Sequence, residues 1–346
     1  MSGSLLVKRA GPATTVQDLG RWTHQRLGVP VGGALDSTGL RLVNALVGNA
    51  ETAAGLEFRL VGPEVLVDTD RARVAVSGGV EAVIQGDPAV TVAPWRSLTL
   101  SRGQTLAVRR VTGSAVGYVA VGGGLAVPLV LGSRATCTRA GIGGLGGHAL
   151  RDGDRLPLAT VTLGDGGDRA LPTAPRERDG PLRVVLGPQD VAFTDASRSA
   201  FLSETFTVGR DADRMGLRLE GLRLAHVKDA NIISDGIAAG AIQVPANGQP
   251  ILLLADRQTV GGYTKIATVI SADLPRAGRL VPGMPVRFAA VAVDEAVAAR
   301  RAAEADLATL VRGLVPAPPL GGFDEAALLR ENLISGVVGV ADDPMA

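Results

Sequence analysis

Short apolar runs separated by glycine, proline and asparagine dominate the chain. In the first half such runs predict strands over residues 5–8, 55–61, 64–68, 73–76, 82–85, 97–111 and 114–121. Their turn signals recur every ~8–12 residues, the spacing of a barrel or sandwich. One stretch breaks this rhythm. Residues 37–47 place Leu40, Val43, Leu46 and Val47 at helical spacing behind Asp36, a helix-start residue, and Gly48-Asn49 ends the run. In the second half the pattern predicts strands over 182–186, 206–208, 217–219, 241–244, 251–254, 263–270 and 285–293, and a helix over 190–202. Residues 273–280 read as a loop or a short helix, because Pro275 and Gly278 interrupt them. Residues 294–310 are Ala-rich, acidic at the start and charged at i,i+4 spacings, which predicts a surface or interface helix. The tail after Val311 offers a short helix over 324–330 and an apolar, strand-like LISGVVGV. Residues 166–181 are polar and rich in Pro and Gly. The expected organisation is therefore a β domain over 1–165, a linker over 166–181, a second β domain over 182–293, and a helix with a tail over 294–346.

Composition narrows the picture. The chain has 346 residues, enough for two cores. With 46 Gly, 20 Pro and only 3 % aromatic residues, it reads as mainly β with a few helices, its cores resting on Val, Leu, Ile and Ala. Thirty-five basic residues against 34 acidic ones leave a net charge of +1, which argues neither for nucleic acid nor for an anionic membrane surface. Cys137 is the only cysteine, so no intrachain disulfide forms. No apolar run reaches the ~20 residues of a membrane helix, and residues 1–12 lack a signal-peptide core; the expected location is the cytoplasm.

The candidate chemistry concentrates in residues 234–270. Here Gln243, Asp256, Arg257, Gln258, Tyr263 and Lys265 stand between short buried strands, and turns rarely need Gln, Arg, Tyr and Lys together. Arg257 or Arg139 can hold a carboxylate by a fork of donors. Gln243 and Gln258 can donate to a carbonyl or accept from an amide N–H. Asp256 can act as a base or orient Arg257, while Tyr263 and Lys265 can transfer protons or stabilise an oxyanion. Asp36 is both a helix cap and a candidate ligand contact. Several chemistries lack their signatures. The histidines, His24, His148 and His226, form no metal-ligand spacing, and no built-in metal is expected. GxSxG and Walker A are absent, and GIGGLG lacks the flanking strand and helix of a dinucleotide fingerprint. Neither a biotinylation site nor an ATP-grasp-sized region is present, so a reaction using ATP or biotin would need another polypeptide.

The stretch GAIQVPANGQPILLLADRQTVGGYTKIATVISADL resembles the signature of the biotin-dependent carboxyltransferase-domain family, also called allophanate hydrolase subunit 2. The opening TTVQDLGR and GVPVGGALD, the GSRAT…GD segment over 132–154 and DADRMGLRLEG are similar to further motifs of that family. The chain departs from it at Gly32, where relatives often have Ser, and at Arg279, where they have Gln. The resemblance implies two cyclophilin-like β-barrel domains, with Arg214 and Arg218 as additional ligand contacts. Its members include the C-type subunit of ATP-dependent 5-oxoprolinase, which opens a lactam to glutamate; carboxyltransferase components of biotin-dependent urea carboxylase; and a non-catalytic antagonist of a sporulation-kinase inhibitor. The first implies a hetero-oligomer with a sister carboxyltransferase-like partner, of the allophanate hydrolase subunit 1 or 5-oxoprolinase B type, and with a LamB/YcsF-type partner that forms the A-type subunit. ATP is then used by the complex. Biotin belongs to the urea route alone.

Overall fold

The computed structural model describes residues 3–160 and 166–318. Its first half folds into two antiparallel sheets. One runs in the order Arg155–Pro157, Ser4–Arg9, Glu64–Asp68, Thr105–Val111, Val80–Ile84, Val90–Val92; the other runs Thr15–Gln17, Gly55–Phe58, Gly117–Val121, Arg71–Val76, Ser97–Ser101. Their facing sides share one core, with Leu5, Val7, Val67 and Leu106 from the first sheet and Leu56, Phe58, Val74 and Val119 from the second. The single strand expected over 97–111 is two strands in different sheets. Gly103, with φ of +86°, turns the chain between them.

The five-stranded sheet is buried on both faces, which explains the unbroken apolar run GYVAV. Its second face carries Ala75, Tyr118 and Ala120, and against these packs helix α1, Ser37–Val47. Asp36 caps α1 by accepting a hydrogen bond from the Gly39 N–H at 2.9 Å, and Gly48 ends it in the left-handed region, as the sequence predicts.

The second half forms an eight-stranded, nearly closed sheet in the order Pro285–Val286, Phe206–Ala212, Gly216–Glu220, Ile251–Leu253, Ala241–Gln243, Lys265–Val269, Leu182–Leu186, Phe288–Ala290. All pairs are antiparallel except Leu182–Leu186 with Phe288–Ala290. Its core, built on Val184, Phe201, Phe206, Leu219, Ile242 and Ile266, is continuous with the α1 residues Leu40, Val43 and Leu46. Thus α1 lies between the five-stranded sheet and the second half. The mainly β architecture matches the sequence reading.

Several boundaries differ from the sequence expectation for local reasons. The helix expected over 190–202 starts later, as α2, Asp195–Ser203, because Thr194 takes the cap position; a 3-10 turn, Asp190–Ala192, precedes it. Residues 260–269 split into Val260–Tyr263, paired with Asn231–Gly236 in a separate ribbon, and Lys265–Val269 in the main sheet. The stretch 273–280 contains a short helix, α3, Leu274–Arg279. Gly278 is required there, because a Cβ would come within 2.3 Å of the Leu35 carbonyl oxygen. Helix α4, Val293–Arg312, buries only Leu307 and is pinned to α1 by a two-pronged Arg41–Glu304 ion pair at 3.0 and 2.8 Å. In the polar stretch 166–181, Arg169–Ala170 pairs with Val315–Pro316, and Asp168 accepts hydrogen bonds from the Thr99 amide and hydroxyl. The tail elements expected over 324–330 and in LISGVVGV lie outside the described residues.

Candidate functional site

Where the two halves meet, a hairpin tip sets the chemistry. The strands Phe206–Ala212 and Gly216–Glu220 are joined by a turn in which the Asp213 carboxylate accepts from the Met215 and Gly216 amides at 2.8 and 3.1 Å. This turn zips onto residues 254–256: Leu254 N–H donates to the Met215 carbonyl at 2.8 Å and Asp256 N–H to the Arg214 carbonyl at 2.9 Å. Arg214 and Asp256 are thereby placed side by side. The Arg214 fork grips the Asp256 carboxylate through Nε and Nη2 at 2.8 and 3.0 Å, donates from Nη2 to the Gly33 carbonyl at 2.7 Å, and pairs through Nη1 with Glu57.

Glu57 and Tyr118 are cross-strand partners in the five-stranded sheet, so their side chains share a face. Tyr118 donates its hydroxyl to Glu57 Oε2 at 2.6 Å, and the same hydroxyl accepts from the Asp36 N–H at 2.8 Å. Burial first, and then the Glu57 and Asp36 charges, push the Tyr118 pKa well above its ordinary value, so it stays a donor. Burial alone would lower the Arg214 pKa, but Glu57 and Asp256 more than offset it and hold it above the usual arginine value. The result is a buried, mutually satisfied network that runs Asp256, Arg214, Glu57, Tyr118 and ends at Asp36.

Two neighbouring chambers flank the hairpin tip, and the second of them opens onto this network. One, of about 590 Å³, is lined by Arg139, Gln243, Gln258 and Tyr263; the other, of about 400 Å³, by Thr15, Glu57, Arg214 and Asp256. They share Arg139, Asp213 and Met215. Gln258 Nε2 donates to Gln243 Oε1 at 3.1 Å. Gln243 Nε2 is buried and makes no hydrogen bond within the protein. A buried amide donor without a partner costs about 1–3 kcal/mol, which makes Gln243 Nε2 a candidate donor to a ligand or a water. Arg139 lies against the Met215 sulfur and forms no ion pair among the described residues. Tyr263 is 41 % exposed at the lip.

The remaining predicted residues sit apart. Lys265 does not line either chamber. It lies in register opposite Gln243, buried, with its ammonium 3.0 Å from the Asp235 carboxylate on the ribbon; that hydrogen bond holds the Asp235 pKa below its ordinary value. Arg257 faces a separate cleft of about 420 Å³, lined by Trp22, Leu35 and Leu254 among others. Its guanidinium is committed to the Ile237 and Leu254 carbonyls at 3.1 and 3.3 Å and to Gln25 Oε1 at 3.0 Å, and burial lowers its pKa. Asp256 therefore orients Arg214, not Arg257. Asp36 combines its cap with an ion pair to Arg279 Nη1 at 2.9 Å. Among the described residues no cluster of three or more His, Cys, Asp or Glu is arranged to hold a metal, and no helix is long and apolar enough to cross a membrane.

Three buried residues were not assigned roles from sequence. Glu57 carries a signal, a carboxylate inside the buried strand GLEF. Tyr118 carries none, since an aromatic residue in GYVAV reads as core. Arg21 is 1 % exposed, pairs with the Ala135 carbonyl and leaves Nη1 unpartnered; burial lowers its pKa, and Asp18, Cys137 and Asp256 oppose that. A Cβ at Gly32 would lie 3.4 Å from that Nη1 and 3.6 Å from Asp256 Oδ1. Position 32 therefore borders the Asp256 carboxylate.

Comparison with known proteins assigns a family. The chain is 39 % identical to the C-type subunit of 5-oxoprolinase from Escherichia coli (strain K12) over 300 residues, covering 86 % of this chain and 94 % of that protein. It is 36 % identical to the corresponding 5-oxoprolinase protein of Haemophilus influenzae, covering 83 % of this chain and 91 % of that one. The structure superposes on the K. lactis urea amidolyase with a TM-score of 0.80 at 27 % identity, covering 89 % of this chain and 20 % of that much longer protein. The family profile "Carboxyltransferase domain, subdomain A and B" matches residues 27–290, from the loop before α1 to the last strand of the eight-stranded sheet, and the chain belongs to that family.

Proposed function

We propose that this chain is the C-type subunit of an ATP-dependent 5-oxoprolinase, which opens the 5-oxoproline lactam to L-glutamate. The observation that carries the reading is the buried, unpartnered Gln243 amide, set beside Gln258 and within a chamber that also holds Arg139. A lactam with a carboxylate matches that set. Gln243 Nε2 donates to the lactam carbonyl, and Arg139 takes the carboxylate with its fork. Asp256, fixed in orientation by Arg214, takes the proton of the water that attacks the activated carbonyl carbon. Tyr263 at the lip supplies the proton to the departing nitrogen, while Lys265, which lines neither chamber, stays paired with Asp235 and fixes the ribbon beside Gln243. The identity to two C-type 5-oxoprolinase proteins over nearly their whole length supports this reading.

ATP activates the lactam in the complex, and activity requires a sister carboxyltransferase-like partner together with a LamB/YcsF-type partner. The superposition on urea amidolyase favours one second reading, carboxyl transfer from carboxybiotin to urea. The test is ATP hydrolysis by this chain reconstituted with those partners, with 5-oxoproline or urea, with and without avidin. The expected result is stimulation by 5-oxoproline that avidin leaves unchanged. Turnover that requires urea and is abolished by avidin would replace this reading with the second.

A further inference from the structure

A fourth cavity, of about 590 Å³, lies between α1, α3, α4 and residues 174–178 and shares no lining residue with the paired chambers. Its lining carries five arginines, Arg176, Arg178, Arg183, Arg276 and Arg279, against four carboxylates, Asp36, Glu177, Asp273 and Asp306. Arg183 is matched by Asp273 at 2.6 Å, Arg178 lies 3.6 Å from the same carboxylate, and Arg279 is shared between Asp36 at 2.9 Å and Glu177 at 3.5 Å. Arg276 has no carboxylate partner among the described residues. It is half-buried, and its Nη1 donates only to the Arg178 carbonyl at 2.7 Å. Burial lowers its pKa, Asp273 opposes that, and the neighbouring Arg178, Arg183 and Arg279 push it further down. A half-buried cation among like charges, in a concave site, is short of one anion.

An indole also lines the cavity. Trp95 adopts φ of +57°, a conformation rare for a bulky side chain, and its indole lies so close over Gly78 that a Cβ there would meet it at 2.7 Å. Leu42 and the small side chain of Ala303 on α4 line the cavity as well. The volume matches that of small-molecule sites.

We propose that this cavity binds a small anion with a planar apolar body, its carboxylate or phosphate on Arg276 and its ring beside Trp95. The site is separate from the paired chambers and does not depend on the reaction assigned to them.

Trp95 is its own reporter. The chain has two tryptophans, and Trp22→Phe leaves Trp95 alone. Fluorescence of that variant is titrated with benzoate, phenyl phosphate, inorganic phosphate and benzylamine. The expected result is a saturable change with benzoate or phenyl phosphate, the tighter of the two identifying the anionic group. Inorganic phosphate should bind about tenfold more weakly and benzylamine should give no response. Arg276→Gln in the same background should weaken the preferred anion by about tenfold, the scale of one charge-assisted hydrogen bond. Thermal melts report whether that variant folds; if it does not, Ala303→Leu, which narrows the cavity, carries the same expectation. No saturable response to either aryl anion, an equal response to benzylamine, or unchanged affinity in the folded variant would overturn the proposal. Inorganic phosphate binding as tightly as phenyl phosphate would overturn the role given to the ring.

Discussion

Asp256→Asn, introduced into the reconstituted complex, is expected to lower 5-oxoproline-dependent turnover about a hundredfold or more. The substitution keeps the size of the side chain and an oxygen for the Arg214 fork, which donates at 2.8 and 3.0 Å. It removes the negative charge and the proton-accepting oxygen that face the chamber shared with Arg139, and it sets an amide N–H₂ against one of the two Arg214 donors, so a thermal melt of the variant accompanies the turnover assay. General-base catalysis contributes typically about 10²–10⁴-fold, and this sets the expected loss. The KM for 5-oxoproline should change little, because Gln243 and Arg139 hold the substrate in this account. Turnover within about threefold of the wild type would remove Asp256 from the chemistry, since that ratio is worth under ~0.7 kcal/mol.

Arg214→Met should give the largest loss of stability. It strands two buried carboxylates, Glu57 at 2 % and Asp256 at 8 % side-chain exposure, that now share one guanidinium. Breaking a buried ion pair by removing one partner costs about 3–5 kcal/mol. For a chain of 346 residues that corresponds to a fall of roughly 4–7 °C in melting temperature. Adding Glu57→Gln and Asp256→Asn to the same variant should recover part of the loss, because the uncompensated charges then disappear. A melting temperature within about 2 °C of the wild type would show that the network carries little stability.

These two expectations rest on residues of unequal visibility in the sequence. The strands, and the helix over 37–47 with its Asp36 cap and Gly48 end, were legible because periodicity and cap chemistry are local properties. Asp256, Gln243, Gln258 and Tyr263 were legible as a group because they crowd into one stretch between buried strands. Arg257 looked equivalent to its neighbours. Its side chain nevertheless turns away to the Leu254 carbonyl, 3 residues back, and to the Ile237 carbonyl, 20 residues back, a contact that no local pattern announces. Glu57 and Tyr118 meet only through cross-strand register, and Arg214 reaches Glu57 across 157 positions. No local pattern encodes such a pairing. The split of 97–111 between two sheets was hidden for a related reason: Gly103 marks a turn, but a turn does not say which sheet the next strand joins.

The most direct test of the account is the KM for 5-oxoproline in a reconstituted complex carrying Gln243→Leu. The change removes the buried Nε2 donor, together with the Oε1 that accepts from Gln258, while leaving an apolar side chain of similar bulk. If that donor holds the lactam carbonyl, KM should rise about tenfold or more, the value of one hydrogen bond to the substrate. A KM within about twofold of the wild type, with unchanged turnover, would contradict the placement of the substrate beside Gln243.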